Sequence, residues 1–183
     1  MTLERIDTPL QDCFIVTPKL FEDHRGTFME TYNHERFLEA TGLDIQFVQD
    51  NQSTSKRGVL RGLHYQIGEK AQAKLVRVIS GAVLDVVVDL RKHSPTFGKS
   101  YAVELSAENR KQLFVPKGFA HGFITLSESC IFGYKCDAYY DASSEGGIIY
   151  NDATLNLDWH LRDDELIISE KDLQLPTFRE VTS

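Results

Sequence analysis

Between residues 74 and 136 the chain is a series of short β-favouring runs at roughly ten-residue spacing, each ended by turn chemistry. Lys74-Leu-Val-Arg-Val-Ile79 leads through Ser80-Gly81 into Ala82-Val-Leu-Asp-Val-Val-Val-Asp-Leu90. Ser100–Leu105, Gln112–Val115, Gly122–Leu126 and Cys130–Cys136 continue the series, with turn residues at Ser94-Pro95-Thr96, Pro116-Lys117-Gly118 and Ser127-Glu128-Ser129. The pattern therefore predicts an all-β sandwich or barrel with a few short helices. Two β-rich runs around Ser80-Gly81 predict a hairpin over 74–90. Cys13-Phe-Ile-Val16, ended by Thr17-Pro18, adds an earlier strand.

Helix is confined to Asn33–Ala40, with Asn33 as N-cap and Gly42 as stop, and to one turn at Ser106–Arg110. No linker, repeat or low-complexity tract divides the chain, so 1–183 reads as a single domain. The polar tail from Leu161 carries Ile167-Ile168 and Pro176-Thr-Phe178, which predicts that it docks on the body.

A formal net charge of −7 argues against sequence-independent nucleic-acid binding, which rests on many Lys/Arg–phosphate contacts. Ala82–Val88 is interrupted by Asp85 and is far too short to span a bilayer, and the first residues hold no signal-peptide core. The three cysteines, Cys13, Cys130 and Cys136, form no Cys-x-x-Cys pair, so reduced thiols in a cytoplasmic protein are expected.

The chemistry-bearing residues cluster around Gly58-Val-Leu-Arg-Gly-Leu-His-Tyr-Gln66. In a regular strand, alternation sends Arg61 to one face and, with no bulge, His64 to the other. Histidine is the side chain best suited to moving protons near neutral pH. A second histidine, His121, stands between Ala120 and Gly122. Lys74 shares a strand face with Val76 and Val78, where a cation would meet an anion or oxyanion; an edge lysine that blocks aggregation is the equal alternative. Asp85, inside an apolar run, calls for a cationic partner, structural or catalytic. Tyr134 is a candidate acid or a packing residue, and Arg25 before Gly26 is a candidate phosphate grip or a surface turn. Of the six histidines none forms a His-x-His pair, so a cupin-type metal site is disfavoured.

Taken in order, these segments resemble the dTDP-4-dehydrorhamnose 3,5-epimerase family of nucleotide-sugar epimerases. The matching pieces include Asp23-His-Arg-Gly26, Asn51-Gln-Ser53, Gly58–Gln66, Ala73–Val78, Asp85–Arg91, Ser94–Gly98, Val115–Phe123, Tyr134-Lys-Cys136, Tyr139-Tyr140 and Ser169-Glu-Lys-Asp172. The resemblance implies a cupin-like jelly-roll β-barrel or sandwich, a homodimer, and catalysis without metal or organic cofactor. The substrate would be a dTDP-linked 4-keto-6-deoxy sugar, whose ketone acidifies C3–H and C5–H.

By the same resemblance His64 matches the general base, Asp172 its carboxylate partner, Lys74 the cation on the enolate oxygen and Tyr134 the acid of the opposite face. Arg25, Glu30, Gln49, Asn51, Arg61, His121, Tyr140, Glu145 and Lys171 match nucleotide-sugar contacts. Arg61 is the foremost phosphate candidate, and Tyr140 the aromatic on thymine. Residues 69–73 and 147–150 depart from the family pattern. Epimerases acting at C3 or C5 alone share most of these motifs, and a non-catalytic sugar-nucleotide-binding cupin is the remaining alternative.

Overall fold

The computed structural model describes residues 2–183. In chain order the strands are β1 Leu3–Asp7, β2 Phe14–Pro18, β3 Leu20–Asp23, β4 Gly26–Met29, β5 Gln49–Lys56, β6 Leu60–Gln66 and β7 Lys74–Ser80. They continue as β8 Ala82–Asp89, β9 Ser100–Ser106, β10 Gln112–Val115, β11 Phe119–Thr125, β12 Ser129–Cys136 and β13 Glu145–Gly147. The α-helices are α1 His34–Thr41, α2 Glu170–Leu173 and α3 Phe178–Thr182. One antiparallel sheet has six strands in the order β1-β2-β10-β7-β12-β5, and a second has five in the order β13-β6-β11-β8-β9. The fold is thus mostly β, in its open sandwich form.

Alternation builds the core. Val76 and Val78 of β7 and Phe132 of β12 meet Val83 and Val87 of β8 and Phe123 of β11 between the sheets. The Phe123 and Phe132 rings stack at 4.2 Å with 22° between planes, a contact worth about 1 kcal/mol beyond area burial. The other face of β8, Leu84, Val86 and Val88, packs under the C-terminal segments with Trp159 and Phe178. Burial on both faces explains why β8 reads as a continuous apolar run rather than as an alternating one.

The expected hairpin over 74–90 is not formed. β7 and β8 are consecutive but lie in different sheets, β7 between β10 and β12, β8 between β11 and β9. Gly81 makes the crossing with φ +83°, and a Cβ there would lie 2.2 Å from the Ser129 carbonyl oxygen. Only glycine accepts both the left-handed backbone and that approach. Ser106–Arg110 is a turn rather than a helical turn. The Asn109 side chain accepts the N–H groups of Ser106 and Lys111, and Arg110 has φ 57°. Such local side-chain bonds compete with helix.

The helix over Asn33–Ala40 forms as expected. Asn33 accepts the Arg36 N–H at 3.2 Å, and Gly42, at φ 74°, ends it by donating to the Leu38 carbonyl at 2.8 Å. Its Phe37 covers Phe14 and Phe114 on the outer face of the six-stranded sheet. The tail docks as well: Ile167 exchanges backbone hydrogen bonds with Gly58 and Leu60, and the Phe178 N–H donates to the buried Asp152 carboxylate at 2.8 Å. The β3–β4 hairpin pairs with neither main sheet. All three cysteines are buried and unpaired, and burial pushes their thiols up, to about 12 for Cys13 and about 11 for Cys130 and Cys136. Among the described residues no helix is long and apolar enough to cross a membrane.

Candidate functional site

A cavity of about 480 Å³ opens between the two sheets, lined by Arg61, His64, Lys74, His121, Tyr134 and Asp172, with Phe123 and Phe132 as apolar walls. A recess of about 290 Å³ adjoins it, sharing His64, Lys74 and Tyr134 and adding Gln49, Asn51, Tyr140 and Glu145. Both sheets contribute, β5, β7 and β12 from one and β6, β11 and β13 from the other.

Arg61 and His64 reach the same cavity, contrary to the alternation expected of a regular strand. The register explains it. His121 pairs with His64 and Phe123 pairs with Arg61, so β6 spends one more residue than β11 over this stretch. An extra residue turns every later side chain to the other face. The strands approach closely here because both positions are glycine: a Cβ on Gly62 would lie 2.7 Å from the Gly122 Cα and from the His121 carbonyl oxygen.

Asp172 sits at the cavity end of the docked tail. Ser169 caps α2 by accepting the Asp172 N–H at 3.1 Å, which fixes the direction of the carboxylate. Asp172 Oδ1 lies 2.8 Å from His64 Nε2, and Oδ2 accepts the Gly62 N–H at 3.1 Å. The Asp172 side chain is 6% exposed and that of His64 31%, so the imidazole faces the cavity while its carboxylate is sheltered. His64 Nδ1 makes no hydrogen bond among the described residues.

Lys74 also lacks a hydrogen bond or ion pair among the described residues, and burial lowers its ammonium pKa against the opposing pull of Cys136, Asp85 and Glu145. Its charge is uncommitted within the cavity. For Tyr134, burial pushes the phenol up more strongly than the Asn51 hydrogen bond and Arg61 pull it down, so it stays protonated as a donor. Arg61 donates from Nε to Ser55 Oγ at 3.2 Å and has no carboxylate partner among the described residues.

At the recess, Lys171 Nζ donates to Glu145 Oε2 at 2.5 Å and the Tyr140 hydroxyl donates to the same oxygen at 3.1 Å. Burial pushes the Glu145 carboxyl up, but these two bonds outweigh it and hold it below the usual range. Gln49 Oε1 accepts the Tyr140 N–H at 2.8 Å, and Gln49 Nε2 donates to Asn51 Oδ1 at 3.0 Å. Arg25 and Glu30 are not brought to either space. Arg25 stands at the tip of the β3–β4 hairpin, ion-paired to Asp23 at 2.5 Å, and Glu30 pairs with Arg36 at 3.2 Å.

Sequence reasoning passed over two residues. Gln66 donates to the carbonyls of Lys70 and Tyr139 and accepts the Asp141 N–H, bracing the loop that presents Tyr140. Ser53 lines the cavity with a buried Oγ that has no hydrogen-bond partner. Gln66 closes the run that drew attention to His64. Ser53 ends the Asn51-Gln-Ser53 piece of the family resemblance but carries no signal by residue type.

Chemically, the site offers an imidazole backed by a sheltered carboxylate, an uncommitted ammonium and a protonated phenol around one space. That set suits proton removal beside a carbonyl and return from another direction. Among the described residues no group of three or more His, Cys, Asp or Glu side chains is placed to hold a metal ion.

Comparison with known proteins gives the same direction. The family model described as dTDP-4-dehydrorhamnose 3,5-epimerase matches residues 7–180. The dTDP-4-dehydrorhamnose 3,5-epimerase of Salmonella typhimurium is 55% identical over 154 residues, covering 84% of each chain. A crystal structure of the enzyme of that name from Elizabethkingia anophelis superposes with a TM-score of 0.95 at 52% identity, covering 100% of both chains. The 3,5-epimerase of Legionella pneumophila, solved in complex with dTDP-4-keto-L-rhamnose, superposes with a TM-score of 0.92 at 45% identity over 97% of this chain and 93% of its own. The chain belongs to the dTDP-4-dehydrorhamnose 3,5-epimerase family.

Proposed function

We propose that the protein epimerises dTDP-4-dehydro-6-deoxy-D-glucose at C3 and C5 to dTDP-4-dehydro-L-rhamnose. The observation that carries this is the His64–Asp172 pair opening onto the same cavity as Lys74 and Tyr134. His64 removes the proton beside the ketone, and Asp172 orients the ring and stabilises its charged form. Lys74 stabilises the enolate oxygen. Tyr134 returns a proton to the opposite face. The ketone already acidifies both C–H bonds, so the sequence of steps calls on no metal or organic cofactor.

Arg61, free of any carboxylate among the described residues, holds the diphosphate. Tyr140 stacks on the thymine, with Gln49, Asn51, Glu145 and Lys171 around it and His121 toward the sugar. The protein works as a single cytoplasmic domain and as a homodimer. In the dimer the β3–β4 hairpin carries Arg25, and Glu30 just after it, toward the cavity of a second copy. Its failure to pair with either sheet and the 60% exposure of Phe28 support this. Sedimentation should give the mass of two chains.

Incubation with the 4-keto-6-deoxy nucleotide sugar in deuterated water, read by NMR, tests the reaction. Deuterium should enter at both C3 and C5. Entry at one carbon assigns the chain to the mono-epimerases, and entry at neither overturns the enzymatic reading.

A further inference from the structure

His64 and His121 are register partners on adjacent strands, and each places Nε2 on a carboxylate. The two carboxylates differ. Asp172 spends its second oxygen on the Gly62 N–H. Asp85 lies behind His121, fully buried between the sheets, with Oδ1 and Oδ2 each 3.0 Å from His121 Nε2. It makes no other hydrogen bond among the described residues. Burial pushes its carboxyl up, opposed by His121 and by the charge of Lys74. The ionisable groups around the cluster are Lys74 on β7, His64 on β6, Tyr134 on β12 and Cys13 beside β2. His121 lines the cavity, and its Nδ1 has no hydrogen bond among the described residues.

A buried carboxylate with one imidazole as its hydrogen-bonding partner has two net-neutral arrangements. Either the carboxylate is ionised and the ring carries both protons, or the carboxylic acid donates to Nε2 and the ring keeps its proton on Nδ1. Burial disfavours the net-charged alternatives. In both neutral arrangements Nδ1 bears a proton. His121 is therefore held as a donor toward the cavity, whereas His64 must offer a lone pair there to act as a base.

We propose that Asp85 is a positioning residue for a two-donor oxyanion hole, in which His121 Nδ1–H and the Lys74 ammonium both donate to the ketone oxygen as it becomes an enolate. The proposal rests on the epimerase reading above. In the step, His64 takes the proton from the carbon beside the ketone. The C–H electron pair becomes the enolate C=C bond, and the carbonyl π pair moves to oxygen, where His121 and Lys74 meet it.

The test is Asp85→Asn. Its amide draws no second proton onto the ring, and where its oxygen accepts Nε2–H, His121 Nδ1 is left without a proton. Removing one such donor costs on the order of 100-fold in kcat. We expect that loss in kcat, an equal slowing of deuterium entry, a KM within about threefold of wild type and unchanged affinity for dTDP alone by calorimetry. A merely structural role would lower the stoichiometry of dTDP binding in the calorimeter by the unfolded fraction, whereas here the stoichiometry stays at wild type and the loss is in kcat per folded site. His121→Ala is read beside it by the same split, because an amide that instead donates to Nε2 keeps the proton on Nδ1. Retained kcat in His121→Ala, or weakened dTDP binding with kcat intact, overturns the proposal and assigns His121 to the diphosphate. Absence of deuterium entry in the wild type overturns the epimerase reading instead.

Discussion

Asp172 Oδ2 accepts the backbone N–H of Gly62 at 3.1 Å, so the carboxylate that orients His64 is itself fixed by the strand that carries His64. Asp172→Asn should leave the fold intact but lower kcat roughly 100- to 10,000-fold with little change in KM, since an amide can favour the wrong ring tautomer. His64→Ala should abolish turnover while largely preserving dTDP affinity. Steady-state kinetics beside calorimetric titration with dTDP checks both; near-wild-type activity in His64→Ala would exclude His64 as the base.

Tyr134→Phe removes a phenol that burial keeps protonated, and leaves the ring in place. It should impair one epimerisation more than the other, because a proton delivered from one face serves one stereochemical outcome. Deuterium occupancy at C3 and C5, followed separately in time, reads this directly. Equal losses would remove the stereospecific role.

Gly62→Ala would set a Cβ 2.7 Å from backbone atoms of Gly122 and His121, at φ +115°. Neither strand can yield without parting His64 from His121. The expected cost is on the order of 3 kcal/mol or more in stability, with loss of activity in whatever fraction folds. Denaturant melts against Gly26→Ala, where a Cβ meets nothing within 4 Å and φ is +121°, separate packing from backbone strain.

Asp89 gives a pH dependence. Burial raises its carboxyl, but hydrogen bonds from Arg91, Ser94 and Thr96 overcome this and hold it at about 2, below the ordinary 3.8. A depressed carboxylate contributes stability that is fully present above the unfolded pKa and is lost as pH falls through the folded one. The contribution is on the order of 2 kcal/mol and should disappear between about pH 4 and pH 2. Thermal melts across that window should show wild type converging on Asp89→Asn; a constant gap would contradict this origin.

The central strands were legible because burial on one or both faces leaves an apolar pattern. β5 and β13 were not: Gln49–Lys56 is polar throughout, since its inward face lines a cavity rather than a core, and Glu145–Gly147 is too short for a period. Turn chemistry at Ser80-Gly81 marked a reversal but could not say that the chain also changes sheets, which depends on the neighbours β7 and β8 find elsewhere. The single-residue register shift that turns Arg61 and His64 to one side is likewise invisible in β6 alone. The placement of Asp172 against His64 came from resemblance, because no local pattern links residues so far apart.

The docked tail also makes the site a late event in the life of the chain. A ribosome that has finished β12 has already produced His64, Lys74 and Tyr134, yet the carboxylate that steers the imidazole is still untranslated. A chain stopped before the tail should therefore lack both the chemistry and the cover over the outer face of β8, and activity in a synthesis reaction should report completed tails.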